Sequence, residues 1–254
     1  KKRAYYEMIG GHQFNSYSSY SGNQGGIYII PLSFWFGDDI SQAIPMVAMQ
    51  YSEVEIRIKF KEFDKLWVSS DGNAPVGNYK ITECQLSTEF VYLDSKERKT
   101  FAQSSHEYLI KQVQNSINNN ILSNEKIKRF NLNFNHPVLE LIFFVQNKNV
   151  KVKSNNKGND WLNFSKTLQT PFKDPIKSAK IILNGQDRTP ELTSKELRFY
   201  NVIEKHTSIP NNFIYVYSFS LNPEDYQPSG SCNFSRFDNK EIEIEFNDNI
   251  ENSD

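Results

Sequence analysis

The sequence is poor in the residues that most often carry chemistry. Its two cysteines, Cys84 and Cys232, are too few and too far apart for a disulfide framework, and are expected as free thiols in a reducing cytosolic setting. The four histidines, His12, His106, His136 and His206, have no metal-ligand spacing. His106-Glu107 begins like a zinc-protease helix, but Ile110 stands where the second histidine would be needed. No G-x-S-x-G elbow, P-loop or dinucleotide fingerprint is present, so no cofactor, metal or catalytic residue is expected. Charge of one sign is also lacking: 29 basic and 30 acidic side chains leave a net charge of −1. No global field therefore draws the chain to nucleic acid or anionic lipid. There is no apolar run near ~18 residues and no signal-peptide pattern, so no membrane span is expected. The chain begins Lys1-Lys-Arg rather than with methionine, as a processed protein or part of a longer polypeptide does.

What the sequence does have is aromatic residues, 14% of the chain, with 19 Phe and 13 Tyr. These suit strands better than helices, and 254 residues can bury a core as one large β-domain or two smaller ones. The run from Ile214 to Leu221 alternates two largely apolar faces and reads as a strand in the middle of a sandwich. Asn222-Pro223 stops it, and Gln227-Pro-Ser-Gly230 forces a turn. After a polar crossing, Glu241–Phe246 alternates strictly, which puts Ile242, Ile244 and Phe246 inward. A buried strand, a long crossing and a one-sided final strand suit the closure of an antiparallel jelly roll.

Upstream, residues 1–26 read as loop, and Ile27–Phe36 reads as an apolar strand with Pro31 at an edge or bulge. Ser52–Phe60 alternates, so Val54, Ile56, Ile58 and Phe60 are expected inward. Residues 69–78 have linker composition, and Tyr79–Leu93 reads as strand. Asp94 and Glu97 have capping-box spacing for a helix through Phe101, and a second helical piece is expected from Ser105 or His106, with Tyr108, Leu109, Gln112 and Val113 as its stripe. Past an Asn-rich loop, apolar positions at Ile127, Phe130, Leu132 and Phe134 precede a break at Asn135-His136-Pro137, where His136 is expected to orient a strand-end turn. Val138–Val145 and Ala179–Leu183 read as strands, the latter ending at Asn184-Gly185. Residues 147–176 read as a polar loop anchored by Trp161, and Ser194–Ile203 as a short helix.

The wording of the C-terminal run carries a resemblance. Tyr217, Ser218, Phe219, Leu221, Pro223, Glu224, Gln227, Pro228, Ser229, Gly230, Asn233, Ser235 and Arg236 match a YSFxLxPExxQPSGxxNxSR pattern. In this the chain resembles the major capsid proteins of large eukaryotic DNA viruses. Pro31-Leu-Ser-Phe-Trp-Phe36, Ala43-Ile-Pro45 and Glu53–Ile58 are similar to the last strands of that family's first jelly roll. Tyr92-Leu-Asp94, Glu97-Arg98, Phe101-Ala102 and His106–Ile110 resemble the helical insertion of its second, and Leu132–Val138 with Glu140–Ile142 adds a further matching phrase.

The resemblance implies an all-β fold, an antiparallel jelly-roll sandwich of the viral double jelly-roll type with short helical insertions. Residues 1–70 would be the terminal strands of an incomplete first jelly roll, unable to fold alone; 71–78 a linker; and 79–254 the second jelly roll. It implies a non-enzymatic shell protein that forms homotrimeric, pseudo-hexagonal capsomers tiling an icosahedral virion assembled in host cytoplasm. Partners would be its own copies, neighbouring capsomers and minor capsid proteins, without direct nucleic acid contact. Pro223, Glu224, Gln227, Pro228, Ser229, Gly230, Asn233, Ser235 and Arg236 would be its structural signature.

Other functions are weighed against this one. A carbohydrate-binding or glycoside-cleaving jelly roll would need exposed aromatics beside an acid pair, but Trp35, Trp67 and Trp161 lie in separate segments. Glu53/Glu55 and Glu241/Glu243/Glu245 sit opposite apolar faces and are expected in solvent; Glu224-Asp225, between two prolines, reads as loop-fixing. Lys126–Arg129 and Lys148–Lys157 read as solvated rather than polyanion-binding. Asn163-Phe-Ser165 and Asn233-Phe-Ser235 fit the glycosylation sequon, with a structural role favoured for Asn233. A minor capsid protein of the same fold would differ chiefly in copy number.

Overall fold

A computed structural model describes residue 8 and residues 27–37, 39–63, 73, 80–116, 120–122, 125–151, 161–167, 171–210 and 212–247. The chain divides into two compact units, Lys1–Trp67 with Asn73–Val113, and Val68–Gly72 with Gln114–Asp254. The expected N-terminal loop with His12, Trp67, and most of the 69–78 and 152–160 stretches lie outside the described residues.

In the first unit the helix forms where its local signal is strongest. Helix α1, Ser95–Gln103, opens with a complete capping box: Glu97 N donates to Asp94 Oδ1 at 2.8 Å, and Asp94 N donates back to Glu97 Oε2 at 3.4 Å. The strands expected at 27–36, 52–60 and 79–93 form no ladder among the described residues, and residues 35–37 are a turn. Val54, Ile58 and Phe60, expected inward, are exposed, and Ile56 is half-buried. The alternation still shows on its polar side, where Arg57 clasps Glu55 through Nε at 2.9 Å and Nη2 at 2.8 Å. Extended backbone becomes a sheet only when neighbours accept its N–H and C=O groups along a ladder, and an isolated bond such as Ile29 N to Met8 O at 2.9 Å does not make one. The second helical piece at 105–113 is also absent. Tyr108 instead donates its hydroxyl to Ala43 O at 3.3 Å and sets its ring 5.7 Å from Trp35, while Val113 is exposed.

The second unit is an antiparallel β-structure built from strands β1 (Ile127–Asn131), β2 (Pro137–Val138), β3 (Glu140–Phe143), β4 (Ile176–Leu183), β5 (Gln186–Asp187), β6 (Leu192–Thr193), β7 (Tyr215–Ser218), β8 (Cys232–Asn233) and β9 (Lys240–Phe246). The largest sheet runs β1-β9-β4-β5, with β6 also on β4; β2 pairs with β8, and β3 with β7. As the alternation predicts, Ile242, Ile244 and Phe246 are buried. Ile181 lies opposite Ile242 and Ala179 opposite Ile244, so the two longest strands present one apolar face. Lys177 is the extra residue of a β-bulge between Ile176 and Ser178. Asn184 and Gly185, at φ 49° and 76°, make the two-residue turn from β4 to β5, the left-handed geometry that Asn-Gly supplies.

Facing this sheet are β3–β7 and β2–β8. Leu141, Tyr215 and Phe234 join Ile181, Ile242 and Ile244 in a single core, with Phe143 and Tyr217 packed on it. Strand β7 is buried on both faces, with Tyr215 and Val216 both inaccessible, but it is shorter than the alternation suggests. Among the described residues it pairs only with β3; its other face packs on a π turn, Glu196–Tyr200, and helix α2, Asn201–Lys205, in the stretch expected as helix. Leu221, expected on an apolar face, is 65% exposed because the strand has already ended. The last strand, β9, lies between β1 and β4 rather than at an edge.

Candidate functional site

The signature residues occupy the crossing from β7 to β9, and three separate fastenings shape it. The first is at Ser229. Its Oγ accepts from Asn222 N at 2.8 Å, lies 3.1 Å from Asn222 O and 2.6 Å from Ser220 Oγ, while Ser229 O accepts from Leu221 N at 3.2 Å. One hydroxyl thus closes the 222–229 loop over the buried Pro223. Gly230 follows at φ 128°, and a Cβ there would lie 3.3 Å from Phe219 O. Only glycine combines that backbone angle with that approach.

The second fastening is at Asn233 and Ser235. Asn233 Oδ1 accepts from Ser235 N at 3.0 Å, capping a short 3-10 turn at Phe234–Arg236. Ser235 Oγ accepts from His136 N at 2.8 Å, and Phe234 N donates to His136 O at 3.0 Å. His136, at φ 69°, does mark the strand-end turn, but through its backbone. These contacts hold Phe234 at the centre of the core with no exposure.

The third fastening is at Glu224. Its carboxylate accepts from Thr207 N at 3.1 Å and lies 3.2 Å from His206 Nδ1; His206 Nε2 in turn lies 3.1 Å from Glu140 Oε2. Burial opposes ionisation of Glu224, but the Thr207 and His206 hydrogen bonds together outweigh it and hold the carboxyl below its ordinary range. Glu224 is therefore loop-fixing, as its place between prolines suggests. Gln227, Pro228 and Arg236 stand exposed.

A further polar cluster was not legible in the sequence. Asp174 accepts from the Tyr215 hydroxyl, the Ser194 hydroxyl, Arg198 Nη1 at 2.9 Å and Ile176 N at 3.1 Å. The Arg198 guanidinium also stacks 4.2 Å from the Phe213 ring centroid. Burial first, and then the Asp174 carboxylate, push the Tyr215 phenol well above its usual range. The only local hint is Asp174-Pro175 ahead of an apolar strand.

The other carboxylates form a cross-strand ladder on the outer face. Glu243 of β9 lies between Arg129 of β1 at 2.6 Å and Lys180 of β4 at 3.4 Å, and Lys177 reaches Glu245 at 2.7 Å. Each acid is matched by a cation. The best-formed cavities among the described residues are about 120 and 140 Å³, room for a few waters and too small for a sugar ring. No group of His, Cys, Asp and Glu among the described residues could hold a metal ion. His106 Nε2 donates to Phe101 O at 2.7 Å, a structural contact. Cys84 and Cys232 are free thiols, and burial pushes that of Cys232 up, away from reactivity. Of the two sequons, Asn163 is buried and its Oδ1 accepts from Ser165 N at 2.9 Å, while Asn233 is consumed in its cap. No described helix is long and apolar enough to cross a membrane.

Comparison with known proteins decides what this crossing belongs to. Residues 97–254 match the large eukaryotic DNA virus major capsid protein family, and residues 1–94 match the major capsid protein N-terminus. The chain belongs to this capsid protein family. It is 31% identical over 239 residues to the major capsid protein of Pyramimonas orientalis virus, covering 85% of this chain and 53% of that protein. The major capsid protein of Paramecium bursaria Chlorella virus 1 is 29% identical over 245 residues, covering 86% of this chain and 54% of the relative. The crystal structure of PBCV-1 VP54, fitted into a cryo-EM reconstruction of the virophage Sputnik, superposes with a TM-score of 0.50 at 28% identity, over 62% of this chain and 43% of that one. The chain spans about half the length of the curated relatives it matches. The fold is the antiparallel jelly-roll sandwich of these capsid proteins, with short helical insertions.

Proposed function

We propose that this chain is the C-terminal portion of a shell-building major capsid protein, one that trimerises into pseudo-hexagonal capsomers tiling the icosahedral virion of a large DNA virus. The observation that carries this reading is the consecutive match of residues 1–94 and 97–254 to the two parts of one capsid family. The build of the second unit supports it: polar and charged groups there fix loops and brace strands, as Ser229 and the Arg129–Glu243 pair do.

Residues 1–70 are read as the terminal strands of a first jelly roll, 71–78 as the linker and 79–254 as the second. Exposed apolar side chains such as Ile27, Ile29, Ile58 and Phe60 suit strands whose neighbours come from another stretch of chain. By compactness Asn73–Val113 groups with the first unit, which leaves the linker reading to be tested by cleavage. The nine signature residues from Pro223 to Arg236 are taken as the groove-free clamp that fixes the crossing. Partners are its own copies, neighbouring capsomers and minor capsid proteins, and its place is the virion, assembled in host cytoplasm. Quantitative mass spectrometry of purified virions tests this. The full-length product should be the most abundant shell polypeptide; a few copies per particle would make it a minor capsid protein, and absence from particles would end the proposal.

A further inference from the structure

His206 follows α2 directly and is held between two carboxylates. Its ring is 14% exposed; Nδ1 lies 3.2 Å from Glu224 Oε1 in the crossing loop, and Nε2 lies 3.1 Å from Glu140 Oε2 on β3. Nε2 and Glu140 Oε2 are both sealed from solvent, and neither is aligned for a hydrogen bond. The attraction between them is therefore electrostatic rather than directional, and nothing else compensates that oxygen. Strand β7 places only the uncharged Ser218 opposite Glu140. The charged groups facing the imidazole are thus Glu140 and Glu224, with Lys205 preceding it on α2.

A neutral imidazole has one N–H and one lone pair. If the proton is on Nδ1, a lone pair points at the Glu140 carboxylate; if it is on Nε2, a lone pair points at Glu224. Only the imidazolium presents a donor and a positive charge to both. Glu224 is also the point at which the crossing loop is tied to the end of α2, through Thr207 N at 3.1 Å. From this we infer that His206 is a proton-operated latch for the 222–229 loop, closed while the ring carries two protons and loosened when it carries one. The sign follows from charge: the fastening is complete while the ring carries two protons and weakens as rising pH removes one. The loop's closure at Ser229 and the Thr207 N bond to Glu224 need no proton on the ring, so loosening weakens the loop's hold on His206 and β3 without unfolding it.

Hydrogen–deuterium exchange of the full-length protein, corrected for intrinsic rates, tests this at about pH 5.5 and about pH 8. Peptides covering 205–230 should lose roughly fivefold or more of their protection at the higher pH, while β9 does not change. His206→Gln should give one reduced protection at both values. Glu140→Gln is the sharper variant, because its amide can donate to a neutral Nε2 while Nδ1 still donates to Glu224. It should keep the loop protected at both pH values, and it keeps the test open if His206→Gln folds poorly. Wild-type protection that does not move with pH, or a Glu140→Gln variant that moves as far as wild type, overturns the inference.

Discussion

The two units carry similar period-2 patterns and come to different ends. Val54, Ile56, Ile58 and Phe60 alternate as cleanly as Ile242, Ile244 and Phe246, yet the first set is largely exposed and the second buried. The difference is the neighbour. Strand β9 has β1 on one side and β4 on the other, so its backbone is paired along both edges and its apolar face meets a core. Residues 52–60 have no ladder partner among the described residues, and of their alternating apolar set Ile56 alone is half-buried. Side-chain period states what a strand can do; pairing decides whether it does so.

The comparison can be broken at several points. The largest effect is expected in the second unit at Phe234, the fully buried ring held by the crossing. Phe234→Ala should cost about 3–5 kcal/mol through cavity and lost burial, read as a fall in the denaturant midpoint of that unit. Asp174→Ala should follow at about 3 kcal/mol, because it strands the Arg198 guanidinium and the Tyr215 hydroxyl together; Tyr215→Phe should cost less. Gly230→Val should cost about 2 kcal/mol, from positive φ and the 3.3 Å approach of Phe219 O, and should lower the yield of folded protein; unchanged yield and melting would remove the clamp role.

A smaller effect comes from acid. Hydrogen bonding to Arg129 holds the Glu243 carboxyl below its ordinary range despite some opposing burial, and Lys177 does the same for Glu245. A carboxylate with a lowered native pKa contributes stability that is present above the unfolded value and lost as pH falls through the native one. Melting temperature should therefore drop below about pH 4, and Glu243→Gln should flatten part of that drop. The smallest effect is expected in the first unit. Ile58→Ser should change the stability of this chain by less than about 0.5 kcal/mol, since the side chain is already exposed. A loss comparable to Phe234→Ala would show that Ile58 has a partner and erase the contrast between the units.

What could be read from the sequence was what depends on near neighbours. The Asp94/Glu97 box needs four residues, the Asn184-Gly185 turn needs two, and the inward set of β9 needs one strand. Strand order was not legible, because the placing of β9 is settled by register with β1, more than a hundred residues back along the chain, and with β4, more than fifty back. Shorter separations, of about twenty to seventy residues, are enough to hide Asp174–Arg198–Tyr215, whose members share no local pattern, and the link from Glu224 to His206 and Glu140. The helix expected at 105–113 failed for a related reason: its apolar stripe meets no buried core among the described residues, while Tyr108 found Ala43 and Trp35. The clamp at Ser229 and Gly230 was half legible, since the glycine announces a turn but not the hydroxyl that closes it.

The central proposal is that this chain packs against copies of itself in a shell. Electron microscopy of the purified full-length product tests it most directly. Class averages should show trimers with a hexagonal outline; a population of separate monomers at concentrations where a shell protein must assemble would contradict the account.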